Sequence, residues 1–279
     1  MTTKPIVVGT DGSAQAERAV EWSAREAVLR GAPLRIVSAA EMPPRMSAPP
    51  PDTGLETVAS HLIGDRDRAL SAAAGVAATT APDLLIDTDP VDGPPAQAVA
   101  DSGAGAMLLV VGSDGHGSFA AMTLGSVSRY AAVHASCPVV VYRDETAATD
   151  RLVVVGIRSL EDCGPALEFA FEEAHLRKAP LLAVHAWQFP DSRAADGAAG
   201  KLDDVLNDCR VGYPDVDASR DVVHGHPGRV LADLSARADL VVLGRHSANG
   251  RLVPGPARVI HAVLSHARGS VAIVPAQTD

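Results

Sequence analysis

Apolar residues in this chain fall into short runs separated by longer stretches with helical spacing. Pro5 to Gly9 carries Ile6-Val7-Val8 and reads as a buried strand. Ser13 follows as a helix N-cap, with Glu17 near the first turn. Ala16, Val20, Ala24, Ala27 and Val28 trace one helical face, and Gly31 fits as the stop. Leu34 to Ala40 is a second strand, and Met42 to Leu55, with five prolines and little periodicity, is a loop. Val58 to Val76 has helical spacing, Leu84 to Ile86 starts a third strand, and Pro94-Pro95 opens a helix that runs through Ala100. Met107 to Val111 is the fourth strand. Ser126 to His134 then places Val127, Tyr130, Ala131 and His134 on one helical face, and Val139 to Tyr142 closes the series as a fifth strand.

The second half repeats this order. Leu152-Val-Val-Val-Gly156 answers Ile6-Val-Val-Gly9, and Ala179-Pro-Leu answers Ala32-Pro-Leu, both 147 residues later. Gly225-His-Pro227 answers Gly93-Pro-Pro95, Leu240 to Gly244 answers Leu108 to Gly112, and His266 answers His134, all at an offset of 132. The lost residues fall between the second and third strands, where the first copy carries its proline-rich loop. A polar, alanine-rich stretch from Asp144 to Asp150 predicts the boundary, giving domains 1–146 and 147–279. Strands alternating with helices imply right-handed crossovers and a parallel sheet covered on both faces.

Composition changes the picture little. Hydrophobic content is 47% with only 3% aromatic residues, so Ala, Val and Leu carry the core. No apolar stretch is long enough to predict a transmembrane helix, and Met1-Thr-Thr-Lys-Pro runs straight into Ile6, which predicts no signal peptide. Cys137, Cys163 and Cys209 have no metal-ligand spacing and read as buried or inert thiols in a reducing cytoplasm. The net charge of −10 argues against nucleic acid or an anionic membrane as partner. An anionic nucleotide remains open, because main-chain donors act locally.

The chemistry concentrates between strands four and five. Gly112-Ser-Asp-Gly115-His-Gly117 follows the fourth strand, and Gly125-Ser126 opens the next helix. Glycine lets main chain approach a ligand, and the first N–H groups of a helix bind anions. Together these read as a phosphate cradle without lysine; tight turns between packed elements are the plainer alternative.

Gly112-x2-Gly115-x9-Gly125-Ser126, with His116-Gly117 and Val127-Ser128, resembles the ATP-binding signature of the universal stress protein family. The resemblance covers nearly the whole chain in two copies. It implies an α/β fold of two tandem Rossmann-like domains, each a five-stranded parallel sheet of order 3-2-1-4-5 with helices on both faces. Strands one and four are then neighbours, and ligands bind beyond their carboxyl ends where the winding reverses. Gly9-Thr10-Asp11 and Gly112 meet at that crevice. By the same resemblance Asp11 reaches the nucleoside and Ala39 offers main chain to adenine. For Asp11, capping of the first helix stands beside that role. Ser126 and Ser128 are either phosphate donors or capping residues, and His116 either a phosphate contact or a solvated loop residue. Asp114 departs from the basic residue frequent in the family loop. His134 and His266 occupy late-helix positions suited to capping carbonyls and carry no assigned function.

The second copy loses the motif. Arg158 stands at the place of Asp11, Ser247 at Gly115, Ala257 at Gly125 and Arg258 at Ser126, while Pro254 and Pro256 are expected to remove donors from the loop. The leading expectation is a cytoplasmic ATP-binding stress protein, a nucleotide-dependent sensor or binding module with ATP, with or without Mg2+, held by the first domain. Its partners would be an adenine nucleotide and an unidentified protein. The last strands of the two domains would pair within the chain, and a homodimer is open. No nucleophile–base pair, metal cluster or catalytic lysine stands out, so no catalytic or metal residue is assigned. An ATP-using hydrolase or ligase is one alternative, although Gly9-Thr-Asp-Gly-Ser13 lacks the Ser-Gly-Gly-x-Asp-Ser of adenylating pyrophosphatases. A nucleotide-free interaction scaffold is the other.

Overall fold

The inner strands are too apolar to face water on either side, and the computed structural model buries them accordingly. It describes residues 3–41, 55–114, 124–144, 151–159, 163–187, 192–245, 247–248, 251–252 and 254–276. The predicted loop from Met42 therefore lies outside the described residues up to 54. In space the chain divides into Met1–Cys137 and Pro138–Asp279.

The first unit holds β1 (Ile6–Gly9), α1 (Ala14–Arg30), β2 (Leu34–Ala40), α2 (Leu55–Thr80), β3 (Ile86–Asp92), α3 (Pro95–Asp101), β4 (Leu108–Gly112) and α4 (Ser126–His134). Its strands are parallel in the order β3-β2-β1-β4, with Ile6 opposite Leu34 on one side and Leu108 on the other. Ile6, Val7 and Val8 are wholly buried, as are Leu108, Leu109 and Val110, which requires cover on both sheet faces. That cover comes from two helix pairs, α1 with α2 and α3 with α4.

The second unit begins with β5 (Val139–Tyr142), then β6 (Leu152–Gly156), α5 (Gly164–Arg177), β7 (Leu181–Trp187), α6 (Ser192–Arg210), β8 (Ala218–His224), α7 (Pro227–Leu234) and β9 (Ala238–Arg245). A two-residue hairpin of β10 (Ser247–Ala248) and β11 (Arg251–Leu252) precedes α8 (Pro254–His266) and β12 (Ser270–Pro275). The sheet order is β5-β12-β9-β6-β7-β8. The five strands of the second copy thus follow the expected 3-2-1-4-5 order, all parallel. The last strand of the first copy, β5, runs antiparallel to β12, with Val139 opposite Ile273 and Val141 opposite Val271. Arg143 fixes the end of that pairing. Its backbone N–H donates to Ser270 Oγ at 3.1 Å, and its guanidinium donates to Leu264 O at 2.6 Å.

Several local expectations hold. Ser13 Oγ accepts from the Ala16 N–H at 3.2 Å, and Gly31 ends α1 in the left-handed conformation at φ 59°. Cys137 and Cys163 are buried, and burial pushes the thiol pKa of half-buried Cys209 up. His134 Nδ1 meets Tyr130 O at 3.0 Å, the carbonyl-capping role expected of it. Among the described residues no helix is long and apolar enough to cross a membrane.

Three expectations need correction. Val28 is 59% exposed rather than part of the α1 face. Successive i+4 steps rotate by 400°, so a row from Ala16 through Val20 and Ala24 drifts off the core by Val28; the buried stripe is completed by Ala19 and Ser23 instead. In α4 the buried stripe is Ser128, Ala131 and Ala132, whereas Val127 and Tyr130 are half-buried and His134 is exposed. Large side chains are excluded there because α4 packs closely on α3. Finally, α2 runs from Leu55 to Thr80, beyond both expected ends, since alanine-rich sequence sustains a helix without marked periodicity.

Each unit also contains a buried ion pair that apolar patterning does not reveal. Arg30 Nε donates to Glu26 Oε1 at 2.6 Å, with side chains 3% and 2% exposed. Glu173 and Arg177, 147 residues later, form the same pair, with Glu173 fully buried. Removing one partner of such a pair strands its charge. Glu26→Ala should therefore destabilise the protein by about 3–5 kcal/mol, whereas Glu26→Met combined with Arg30→Leu should restore most of the loss. Denaturant midpoints of the three proteins check this; equal midpoints for the single and double variants would contradict it.

Candidate functional site

Strand β1 leaves the sheet toward α1 and strand β4 toward α4, so their carboxyl ends bound a crevice. A cleft of about 580 Å³ occupies it, within the size range of small-molecule sites. Gly9, Thr10 and Asp11 form one wall and Ala39, at the end of β2, lies beside them. Gly112 and Asp114 come from the end of β4, and Gly125, Ser126, Val127 and Ser128 from the start of α4. Nine of the residues singled out from sequence therefore line one cavity, although they span positions 9 to 128. Gly115, His116 and Gly117 lie outside the described residues.

Close packing explains the small residues. A Cβ on Gly125 would sit 3.3 Å from Ser113 O and 3.4 Å from Ser128 Oγ. At Gly112 it would meet Gln15 Cγ at 3.3 Å, and at Gly9 Val99 Cγ1 at 3.0 Å. Gly125 donates its N–H to Ser113 O at 2.9 Å, which brings the end of β4 and the start of α4 together. No side chain caps α4. The first N–H groups of a helix have no intrahelical acceptor, so the helix start suits an anion.

The polar side chains divide by role. Ser128 is buried, and its hydroxyl donates to Gly112 O at 2.6 Å, so it braces the crevice. Ser126 is exposed at the helix start and faces no such constraint. Asp11 Oδ1 accepts from the Ser13 N–H at 2.9 Å, a local turn ahead of α1, whose own N-cap is Ser13. Thr10 is buried, donates its N–H to Val37 O at 2.9 Å, and accepts at Oγ1 from the Gly12 N–H at 3.1 Å.

Sequence reading missed Arg129. It lines the cleft and donates to Leu124 O at 3.2 Å, so a guanidinium stands in the wall of a cavity whose loop carries Asp114. Its position three residues after Ser126 puts it on the same side of α4, a spacing that could have flagged it. Pro95 and Val99 from α3 and Leu124 supply an apolar side suited to a flat ring.

The matching place in the second unit is different. Ala257 and Arg258, at the positions of Gly125 and Ser126, lie within α8, which begins at Pro254. Pro254 and Pro256 thus occupy the first helical turn rather than a preceding loop, and neither has an N–H to offer an anion there.

Comparison with known proteins accords with this architecture. The model of the universal stress protein family matches residues 2–143 and again 151–275. A universal stress protein of Mycobacterium tuberculosis is 33% identical over 283 residues, covering 98% of this chain and 97% of its own. One of Mycobacterium bovis is 32% identical over 289 residues, with 96% of each chain covered. The crystal structure of a universal stress protein from Archaeoglobus fulgidus aligns over 100% of this chain and 98% of its own with a TM-score of 0.74, at 14% identity, a likeness of fold. Matched twice by the family model and end to end by relatives a third identical, the chain belongs to the universal stress protein family.

Proposed function

We propose that the first domain, residues 1–146, binds ATP, and that the protein acts in the cytoplasm as a nucleotide-dependent sensor or binding module in a stress response. The observation that carries this reading is the convergence at one crevice of Gly9, Gly112 and the uncapped start of α4. Phosphates would lie against main chain at Gly112, Gly125 and Ser126, together with the unassigned loop residues Gly115, His116 and Gly117. Arg129 adds a positive charge at the same wall. The nucleoside would occupy the side formed by Asp11, Ala39, Pro95 and Val99. Mg2+ is held by one or two carboxylates together with phosphates and water. Asp11 and Asp114 are the carboxylates lining the cleft, and the ion would neutralise phosphate charge there.

Binding rather than turnover is favoured by the side chains present. Ser128 is committed to Gly112 O, and no histidine, cysteine or lysine lines the cleft among the described residues. Slow hydrolysis is compatible with the site but not required by it.

ATP titrated calorimetrically into the full chain should bind with a stoichiometry near one, because the second copy lacks the counterparts of Gly115 and Gly125 and prolines replace two helix-start donors. A hundredfold excess over Kd should stabilise the binding unit by about 2.7 kcal/mol. Gly125→Val, and Gly115→Val in the loop, should lower affinity at least about tenfold while the protein stays folded, since Ala257 and Ser247 occupy those places in the second copy. Undiminished affinity in folded variants, or an empty protein at millimolar ATP, would sink the reading.

Ser128→Ala should separate bracing from contact. Loss of the bond to Gly112 O should cost about 1 kcal/mol of stability without ligand, and Ser128→Thr should recover part of it. Thermal unfolding in the absence of nucleotide gives the measurement. An unchanged midpoint would mean that the hydroxyl does not brace the crevice.

A further inference from the structure

The second unit has a cavity at the place corresponding to the first unit's cleft, and its lining has changed chemistry position by position. Ile157 stands for Thr10 and Ile260 for Ser128, so two of the hydroxyl groups bordering the first crevice are replaced by branched hydrocarbon. Leu231 stands for Val99 and reaches further over the strand end. A Cβ on Gly156 would meet Leu231 Cδ1 at 2.7 Å, against 3.0 Å from Val99 at Gly9. The cavity is consequently smaller, about 270 Å³ against 580 Å³, and lined mainly by apolar side chains, with Arg158, Ser159 and Cys163 beside them. At its rim the charge is reversed. Arg158, exposed, occupies the place of Asp11.

We propose that the crevice of the second unit binds a small amphipathic anion, an apolar monocarboxylate whose hydrocarbon body fills the cavity and whose carboxylate meets Arg158. A nucleotide is disfavoured on three counts. The cavity has half the volume of the first, α8 opens with two prolines that supply no N–H, and Ile157 and Ile260 would face a polar ligand with methyl groups. An apolar cavity of roughly 150 Å³ holds one benzene ring, so this one suits a body of about eight to ten carbons. A carboxylate held by a guanidinium makes the strong, charge-assisted kind of hydrogen bond. The apolar lining and the positive rim thus select for the two ends of one molecule.

Octanoate and octanol are suitable probes, the second lacking only the charge. In the full-length protein, octanoate should shift the methyl resonances of Leu231 and Ile260 and bind with a stoichiometry of one. Octanol should bind at the same methyls, about tenfold more weakly. Arg158→Ala should remove the difference by weakening octanoate alone about tenfold, and Ala186→Phe, which fills the cavity, should abolish both. ATP should not displace octanoate, and octanoate should leave ATP binding at the first crevice unchanged. Should Ala186→Phe misfold, the methyl shifts of the unmodified protein decide the matter. The proposal fails if neither probe moves those methyls at millimolar concentration, if ATP competes with octanoate, or if Arg158→Ala leaves the preference for octanoate intact.

Discussion

Parallel pairing of β1 with β4 is the constraint on which the first unit depends. Ile6, Val7 and Val8 lie in register with Leu108, Leu109 and Val110, although about a hundred residues separate them. Parallel neighbours need crossovers, and here the chain winds one way through β2 and β3 and the other way after β4. The two connections therefore diverge from adjacent strand ends and leave a gap that no backbone fills. Gly9 and Gly112 are the last residues of those strands, so the gap is floored by positions without side chains. The cleft is a consequence of topology first and of residue choice second.

That order explains how two copies share a fold and not a site. The residues that hold each unit together are largely distinct from those that line its crevice. Buried strand residues recur in both copies, and so does the buried ion pair, Glu26 with Arg30 and Glu173 with Arg177. A buried pair is costly to break by single changes, because either loss strands the partner's charge. Crevice positions are held by neutral hydrogen bonds, whose loss costs less than a stranded charge. Thr10 and Ser128 are accordingly matched by Ile157 and Ile260 in the second copy.

The legibility of the sequence follows the same division. The inner strands were readable because each is a short apolar run buried on both faces, and the strand order was implied by the family resemblance. The cleft residues were readable because glycines and a helix start at fixed spacing are local signals. What depends on packing between distant segments was not. The α4 stripe of Ser128, Ala131 and Ala132 is set by the close approach of α3, so the expected apolar face through Val127 and Tyr130 points elsewhere. Ser128 reads from sequence as a phosphate donor or a capping residue, whereas its bond to Gly112 O joins segments far apart in the chain. Arg129 and the Glu26–Arg30 pair were hidden in helices where charged residues are ordinarily solvated; the cleft marks the first and burial the second.

The fifth strand carries the argument from fold to assembly. β5 is encoded at the end of the first copy yet lies in the second unit, antiparallel to β12 and tied by Arg143 to Ser270 and Leu264. A bare strand edge with Val139, Val140 and Val141 would be an aggregation hazard, and β12 would present another in Val271 and Ile273. Joining two copies in one chain supplies each edge with a partner at the effective concentration of a tether. The repeat therefore has a structural reason independent of ligand binding. Once the second copy is retained for its strand, its crevice is released from the chemistry of the first.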